Sequence, residues 1–595
     1  MAKIQIDYDP IDVEAILTAD QADHDWDVIL RTIRELTSEL VESASRQVRI
    51  PWWIFVNSRR ALAYQIAIHD IQVDFGSHAT ALLGEANVRD GLLDSAASTP
   101  ELKKDHLDSV LRTSGFIREL KPFQSENLLK LCRLPVGASF SVPGSGKTTE
   151  ALAFFSYFRR TDSRLLVVAP KNAFAAWEEQ TGLCLPTSDK FVRLTGGKAA
   201  IEDILRIAQP HLMLITYEQF PTVSKLLAQY LARFHNFMFL DESHRIKGGA
   251  RKIRANAILR IAPVAKHKLV LSGTPLPNGE ADLVPQFEFI APEIAVQEDT
   301  VTAQVAPFFV RTTKRDLKLP EPKRVLVPLS MNEEQRRLYE LLRSAVARNA
   351  EKEIERDARR AFRAIGRSAV RLLQYVSNPS LLVGKIPEFD EYLGQVIEEG
   401  DSPKLEWATL RARQLARQGQ KVIIWSSFVQ NVELLAARLA DLGASFIHGG
   451  VDASSEADAD SREARILRFH KDPSAMVLVA NPAACGEGIS LHTVCDHAIY
   501  VDRNYNAAQY LQSEDRIHRI GSDHQKYVEI VVCRDSIDLA VDRRLQAKIE
   551  KMAVTLNDPS LQITPIPIDA DRLDLDDDDV LDLLAHLRAA REVAA

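Results

Sequence analysis

Residues 165–170, LLVVAP, open a series that decides the fold, because short apolar runs of the same kind return at 212–217 (LMLITY), 237–242 (FMFLDE) and 268–273 (KLVLSG). A second series follows at 421–427 (KVIIWSS), 476–481 (MVLVAN), 497–502 (HAIYVD) and 528–533 (VEIVVC). These runs are apolar throughout rather than at alternate positions, and helical stretches separate them. That is the pattern of parallel strands covered on both faces of a sheet. Two α/β lobes are expected, at residues 116–310 and 395–550. Between them, residues 330–382 hold no such run and are charged and helix-forming, so 311–394 reads as a linker with a helical protrusion.

Outside the lobes the sequence says less. Residues 1–115 look mainly helical, as in RALAYQIAIHDIQ, and read as an accessory domain; residues 551–595 read as an acidic tail. The 595 residues leave room for about three to five domains. With 46% hydrophobic and 26% charged residues, wholesale disorder is excluded. Five scattered cysteines form no CxxC pair, so neither a disulfide framework nor a zinc ribbon is expected, and a reducing compartment is. No apolar run is long enough for a membrane span, and the expected location is cytoplasmic, or nuclear if the source is eukaryotic. The net charge of −8 is unevenly spread. Residues 1–100 carry 8 basic and 16 acidic side chains and residues 556–595 carry 3 and 10, which leaves residues 101–555 at +7. A cationic working surface with acidic ends follows.

The strongest local signal is SVPGSGKTTE, residues 141–150. Gly144 and Gly146 let the backbone turn its N–H groups toward phosphate oxygens, Lys147 supplies charge for the β- and γ-phosphates, and Thr148 offers a hydroxyl to magnesium. Farther on, FMFLDESH ends an apolar strand in paired acids. Asp241 at the strand tip suits magnesium through water, and Glu242 suits the attacking water.

Taken in order, SVPGSGKT, LVVAPKNAFAAWEEQ, LITYEQF, DESHRIK, LSGTPLPNG, VIIWSSF, ACGEGISL and QSEDRIHRIGS resemble the motifs of superfamily 2 helicases. DESHRIK with LSGTPLPN, Trp177 after LVVAP, and the run ending HRIG are similar to the Swi/Snf branch of ATP-driven DNA translocases. The match spans about residues 116–550. The resemblance implies two RecA-like lobes, ATP and magnesium as ligands, and double-stranded DNA as the track.

It also implies roles for individual residues. Gln124 resembles the glutamine that reads adenine, and ATP contacts fall to Gln124, Gly144, Ser145, Gly146, Lys147, Thr148, Thr149 and Gly488. Arg516 and Arg519, three apart on a predicted helix and so on one face, look like arginine fingers, with Gln512 one turn earlier. Ser272, Gly273 and Thr274 resemble the motif that links nucleotide state to lobe closure, and Gly486 to Ser490 the second-lobe loop between ATP and nucleic acid. Lys171, Thr216, Tyr217, Ser426, Ser427 and His448 stand at family-like positions for contact with DNA phosphates. Ser141, Ser243 and Ser522 depart from the family's usual Asp, Ala and Gln.

Ten arginines between 336 and 371 are accompanied by seven acids between 333 and 357, so a solvated helix face and a duplex clamp both remain open. Two other functions also remain open at this level: a strand-separating helicase of the same superfamily, and a nucleotide-gated scaffold without turnover. A bacterial or viral source is favoured by the Ala-rich, compact chain, and a protein partner through residues 1–115 or the acidic tail is allowed for.

Overall fold

The computed structural model describes residues 3–558 and 561, apart from 11, 13, 37–41, 188, 293, 295, 355–368, 452–460, 486–489 and 523. The chain forms two compact units, one of residues 1–276 and 280–312, the other of residues 277–279 and 313–595.

The first unit holds two sheets. The N-terminal sheet is made of β1 (Lys3–Asp9), β2 (Glu14–Ala19), β3 (Glu42–Ala44), β4 (Gln47–Pro51) and β5 (Gln72–Phe75), in the order β3-β4-β2-β1-β5. It is antiparallel except where β1 runs parallel to β5. Helices His24–Leu36, Trp52–Ile68 and Ser77–Asp94 accompany it, and Ile4, Ile6, Leu17, Trp26, Ile29 and Val48 form its core. The sequence reading of residues 1–115 as mainly helical thus accounts for the helices and leaves out a five-stranded sheet. The reason is visible in the burial of β1 and β2, where buried residues alternate with exposed or half-buried ones, so that no continuous apolar run marks the strands.

The second sheet of this unit is the first expected lobe. It comprises β6 (Val136–Ser139), β7 (Arg164–Val168), β8 (Val192–Arg193), β9 (Leu212–Ile215), β10 (Asn236–Asp241), β11 (His267–Leu271) and β12 (Phe309–Val310), ordered β12-β6-β11-β10-β7-β9-β8 and parallel throughout. Its central strands are buried along their whole length on both faces, as the apolar runs require. Chain order and sheet order part company after β6. The chain crosses to β7, runs out to the edge, and returns through β10 and β11 to fill the gap. The carboxyl ends of β6, β11 and β10 therefore lie side by side at a topological switch point, the place where open α/β sheets bind ligands.

The second unit is built on a six-stranded parallel sheet of β13 (Lys323–Leu329), β14 (Val422–Trp425), β15 (Ser445–Ile447), β16 (Val477–Ala480), β17 (His497–Tyr500) and β18 (Tyr527–Cys533), ordered β13-β18-β17-β14-β16-β15. Two expected boundaries move. Strand β13 lies inside the segment read as linker; it is an edge strand with its side chains mostly exposed and a proline at 328, so it carries no apolar run. At the other end, helix Ile537–Thr555 carries buried Met552 and Thr555 past position 550, and Asp558 is buried, so the fold continues into the segment read as tail. The expected helical protrusion is represented by helix Glu333–Ile354; residues 355–368 and the acidic stretch 562–595 lie outside the described residues. No described helix is long and apolar enough to cross a membrane. Cys132, Cys184, Cys495 and Cys533 are buried free thiols.

Candidate active site

The phosphate loop leaves β6 after Ser139 and enters helix Lys147–Phe158. Gly144 and Gly146 stand at φ of 85° and 88°, in the left-handed region where glycine carries no Cβ penalty. Gly146 caps the helix, so the first free N–H groups of the helix and its positive dipole end face the loop. A Cβ at Gly146 would sit 2.4 Å from Nε2 of Gln124. That amide is buried under the loop, where it donates to the carbonyl of Ser145 at 3.1 Å and accepts from the Lys121 N–H at 3.0 Å. In this state Gln124 braces the loop. The Lys147 ammonium donates to the carbonyls of Ser141 (2.9 Å) and Val142 (3.4 Å), folded back over the loop that it serves. Thr149 donates to Oε1 of Gln180 (3.2 Å), and the buried Ser145 hydroxyl has no hydrogen-bond partner among the described residues.

At the end of β10, Asp241 accepts from the Trp177 indole N–H on Oδ2 (2.8 Å) and from the Glu242 N–H on Oδ1 (3.0 Å). Trp177 is wholly buried, so the orientation of Asp241 is set from the core outward. Glu242 adopts φ 52°, a left-handed conformation that costs a non-glycine residue energy. Beyond it, Nδ1 of His244 lies 3.1 Å from Oγ of Ser272 and 3.5 Å from Oε2 of Glu242, and Ser272 Oγ in turn accepts from the Thr274 N–H (3.1 Å). Burial, and then the charges of Arg245, Lys247 and Lys147, push His244 down to about 3, so it stays neutral at ordinary pH. Ser272, Gly273 and Thr274 are thereby joined to the paired acids. Gly273 also lies against the phosphate loop, since a Cβ there would approach Pro143 Cδ to 2.8 Å.

Two of the departures from the family pattern have partners. Ser243 donates to Oε1 of Gln286 (2.6 Å), and Ser141 accepts from the Thr312 N–H (3.0 Å). Sequence reasoning missed Glu150, which is fully buried in helix Lys147–Phe158 and accepts from Asn127 (2.8 Å) and Ser139 (2.9 Å). Burial pushes its carboxyl up to about 7 against those two bonds and the charge of Lys147. The signal was a lone acid in the apolar stretch TTEALAFF. No cluster of three or more His, Cys, Asp or Glu side chains able to hold a metal occurs among the described residues. The donors present, Thr148 and Asp241, suit a magnesium ion completed by water and phosphate oxygens rather than caged by protein.

In the second unit, Gln512 lies in helix Ala507–Glu514, but Arg516 and Arg519 do not, which corrects their placing on a helix face. After Glu514 the bonding is mixed, with i−3 bonds from the Arg516 N–H to Ser513 and the Ile517 N–H to Glu514 beside an i−4 bond from the His518 N–H to Glu514. Arg516 is buried with Nε donating to the Gln512 carbonyl (3.0 Å), and Ser522 closes the turn by accepting from the Arg519 N–H (3.1 Å). Gly486 and Gly488 lie outside the described residues.

The expected DNA contacts divide. Lys171 is exposed and Thr216 half-buried, following the adjacent strands β7 and β9. Tyr217 is wholly buried and donates to the Asp241 carbonyl (2.8 Å), so its side chain supports the catalytic strand and does not meet a phosphate backbone. Ser426 and Ser427 are also buried: the Ser426 hydroxyl donates to Oδ2 of Asp502 (2.7 Å) and the Ser427 N–H to Oδ1 (2.7 Å). His448 lies with Nε2 3.0 Å from Glu433 Oε1 and accepts from the Gly450 N–H. The sequence could not separate these cases, because polar residues at strand ends serve loops, networks and ligands alike.

The family model for the SNF2-related domain matches residues 142–381, and that for the helicase conserved C-terminal domain matches residues 407–521. The chain is similar to the ATP-dependent DNA helicase DDM1 of Arabidopsis thaliana, 25% identical over 68% of this chain and 57% of that protein. It is also similar to the transcription regulatory protein SNF2 of Saccharomyces cerevisiae, 22% identical over 68% of this chain and 26% of that one. It thus spans little more than half of the first relative and about a quarter of the second. Both are eukaryotic proteins, which lends no support to a bacterial or viral source or to a cytoplasmic location. Among solved structures, the Sulfolobus solfataricus SWI2/SNF2 ATPase core in complex with dsDNA is 19% identical and covers 76% of this chain and 98% of its own, at a TM-score of 0.32. With both domain models matched in the order in which the motifs run, the chain belongs to the Swi/Snf-type branch of the superfamily 2 helicases.

Proposed function

We propose that this chain is an ATP hydrolase driven by double-stranded DNA, and that hydrolysis moves it along the duplex backbone without separating the strands. One observation carries the reading: the phosphate loop, the Asp241–Glu242 pair and the Ser272–Thr274 motif stand at three adjacent strand ends, with His244 hydrogen-bonded to Ser272 and 3.5 Å from Glu242, and Gly273 against Pro143 of the loop.

In this mechanism Lys147 exchanges the carbonyls of Ser141 and Val142 for the β- and γ-phosphate oxygens, while the N–H groups of the loop take the remaining phosphate charge. Thr148 and Asp241 would hold magnesium, which would supply further neutralisation of that charge. Glu242 takes a proton from the attacking water as the terminal phosphoanhydride bond breaks, and its carboxyl is kept beside His244 for that purpose. Arg516 and Arg519 stabilise the charge on the transferred phosphoryl group. Backbone tracking fits the +7 charge of residues 101–555, with Lys171 and Thr216 as phosphate contacts, and requires no reading of base sequence. A protein partner held through residues 1–115 or the acidic tail belongs to the same proposal.

The test is ATP hydrolysis by the full chain alone and with blunt duplex, single-stranded DNA or RNA across a salt series. Stimulation greatest with duplex, insensitive to base sequence and falling steeply with salt supports the reading. Stimulation greatest with RNA, or none by any nucleic acid, overturns it.

A further inference from the structure

The turn that carries Arg516 and Arg519 also contains two acids that no hydrolytic step uses. Glu514 and Asp515 directly precede Arg516, and both are buried. Asp515 already interacts with Arg516 and Arg519, so holding the turn requires further positive charge for the two acids.

The structure shows what supplies it. Arg324, on β13, grips Glu514 in a fork: Nε donates to Oε2 at 2.9 Å and Nη2 to Oε1 at 2.6 Å, while the Tyr510 hydroxyl adds a third bond to Oε2 at 2.9 Å. Lys314 stands between the two acids, 2.6 Å from Asp515 Oδ1 and 3.7 Å from Glu514 Oε1. His518, between the two arginines in sequence, donates from Nε2 to the Pro320 carbonyl (2.8 Å), which fixes its tautomer and leaves Nδ1, 3.3 Å from the Lys314 ammonium, to accept. Gln525 donates to the Glu321 carbonyl (2.7 Å), and the Lys323 N–H donates to the Lys526 carbonyl (2.8 Å). Burial alone would raise Glu514, yet Arg324, with help from Lys314 and His518, holds its carboxyl well below the usual range. Thus residues 314–324, the first stretch of the second unit after Thr313, are fastened onto the turn at several points.

We infer that Lys314, Arg324, Glu514 and His518 are positioning residues for ATP hydrolysis: by compensating buried charge they hold in place the turn that carries Arg516 and Arg519. The inference rests on the role proposed above for those two arginines. The arrangement also accounts for the 190-residue separation between Arg324 and Glu514, a contact that no local pattern announces.

The experiment compares Arg324→Met with Arg324→Met/Glu514→Gln in the full chain, measuring DNA-stimulated kcat and the KM for ATP. The single variant leaves a buried carboxylate uncompensated, and kcat should fall by ~10–100-fold with KM within about threefold of wild type. The double variant removes both charges and keeps an acceptor for Tyr510, so kcat should return to within about threefold of wild type. Full kcat in the single variant, or no recovery in the double, overturns the inference. If Arg324→Met cannot be obtained folded, Lys314→Met is read by the same kcat and KM criterion. Arg516→Ala, run in parallel, separates the two readings: if it keeps full kcat, the assignment of the arginines fails, whereas if it loses kcat and Arg324→Met does not, only the brace fails.

Discussion

The phosphate end of the first unit and the arginine turn of the second are built by different means. The first is main-chain geometry: two glycines at positive φ, a helix N-terminus, a left-handed Glu242, and carbonyls that hold Lys147. The second is side-chain charge, with buried Glu514 and Asp515 facing Arg324 of β13 and Lys314 ahead of it. The difference teaches where substitution is tolerated. Around the loop, Ser141 and Ser243 replace the family's usual residues and find neutral partners. Around the turn, removing one charged group strands another in a buried site, which is costly in a way that replacing a neutral donor is not.

The largest effect expected is at the phosphate end itself. Lys147→Ala and Glu242→Gln should each lower DNA-stimulated kcat by at least ~10³-fold, but only the second should keep tight ATP binding, as measured with a fluorescent nucleotide. Wild-type turnover in either purified variant would break the first half of the comparison. A smaller effect should follow Trp177→Phe, which keeps the core filled and removes only the donor to Asp241. The magnesium concentration for half-maximal rate should rise by ~10–100-fold with the fold intact. No change would mean that main-chain geometry alone orients Asp241.

The smallest effect lies away from both sites. In the first unit Nε2 of His235 and Nε2 of His267 are 3.1 Å apart, and burial, followed for His267 by its neighbour His235, pushes them down to about 4 and about 3. Both folded values lie below the ordinary 6.5, so the unfolded chain binds more protons and stability falls as pH drops below 6.5. The loss should be about 2 kcal/mol per histidine between pH 7 and pH 5. His235→Gln/His267→Gln should flatten that slope in thermal melts, while hydrolysis keeps its dependence on Lys147 and Glu242. An unchanged slope would place the acid sensitivity elsewhere.

How legible each part was in the sequence follows from the same physics. Strands β7, β9, β10 and β11 are buried on both faces and read directly as LLVV, LMLI, FMFL and KLVL, whereas the N-terminal sheet hides in alternation and β13 in exposure. Gly144, Gly146, Lys147, Asp241 and Glu242 were legible because main-chain geometry demands glycine and strand-end charge at short spacing. Tyr217, Ser426 and Ser427 misled, since a polar residue at a strand end looks the same whether it faces phosphate or Asp502. Trp177 reaching Asp241, and Arg324 reaching Glu514, are contacts between distant parts of the chain, and only the fold brings them together.

The central claim is movement along duplex DNA without strand separation, and a triplex-displacement assay paired with a forked-duplex unwinding assay tests it most directly. With ATP the full chain should displace the third strand and leave the fork intact, and Lys147→Ala should do neither. Robust unwinding of the fork, or no displacement of the third strand by an enzyme that hydrolyses ATP on duplex, would contradict it.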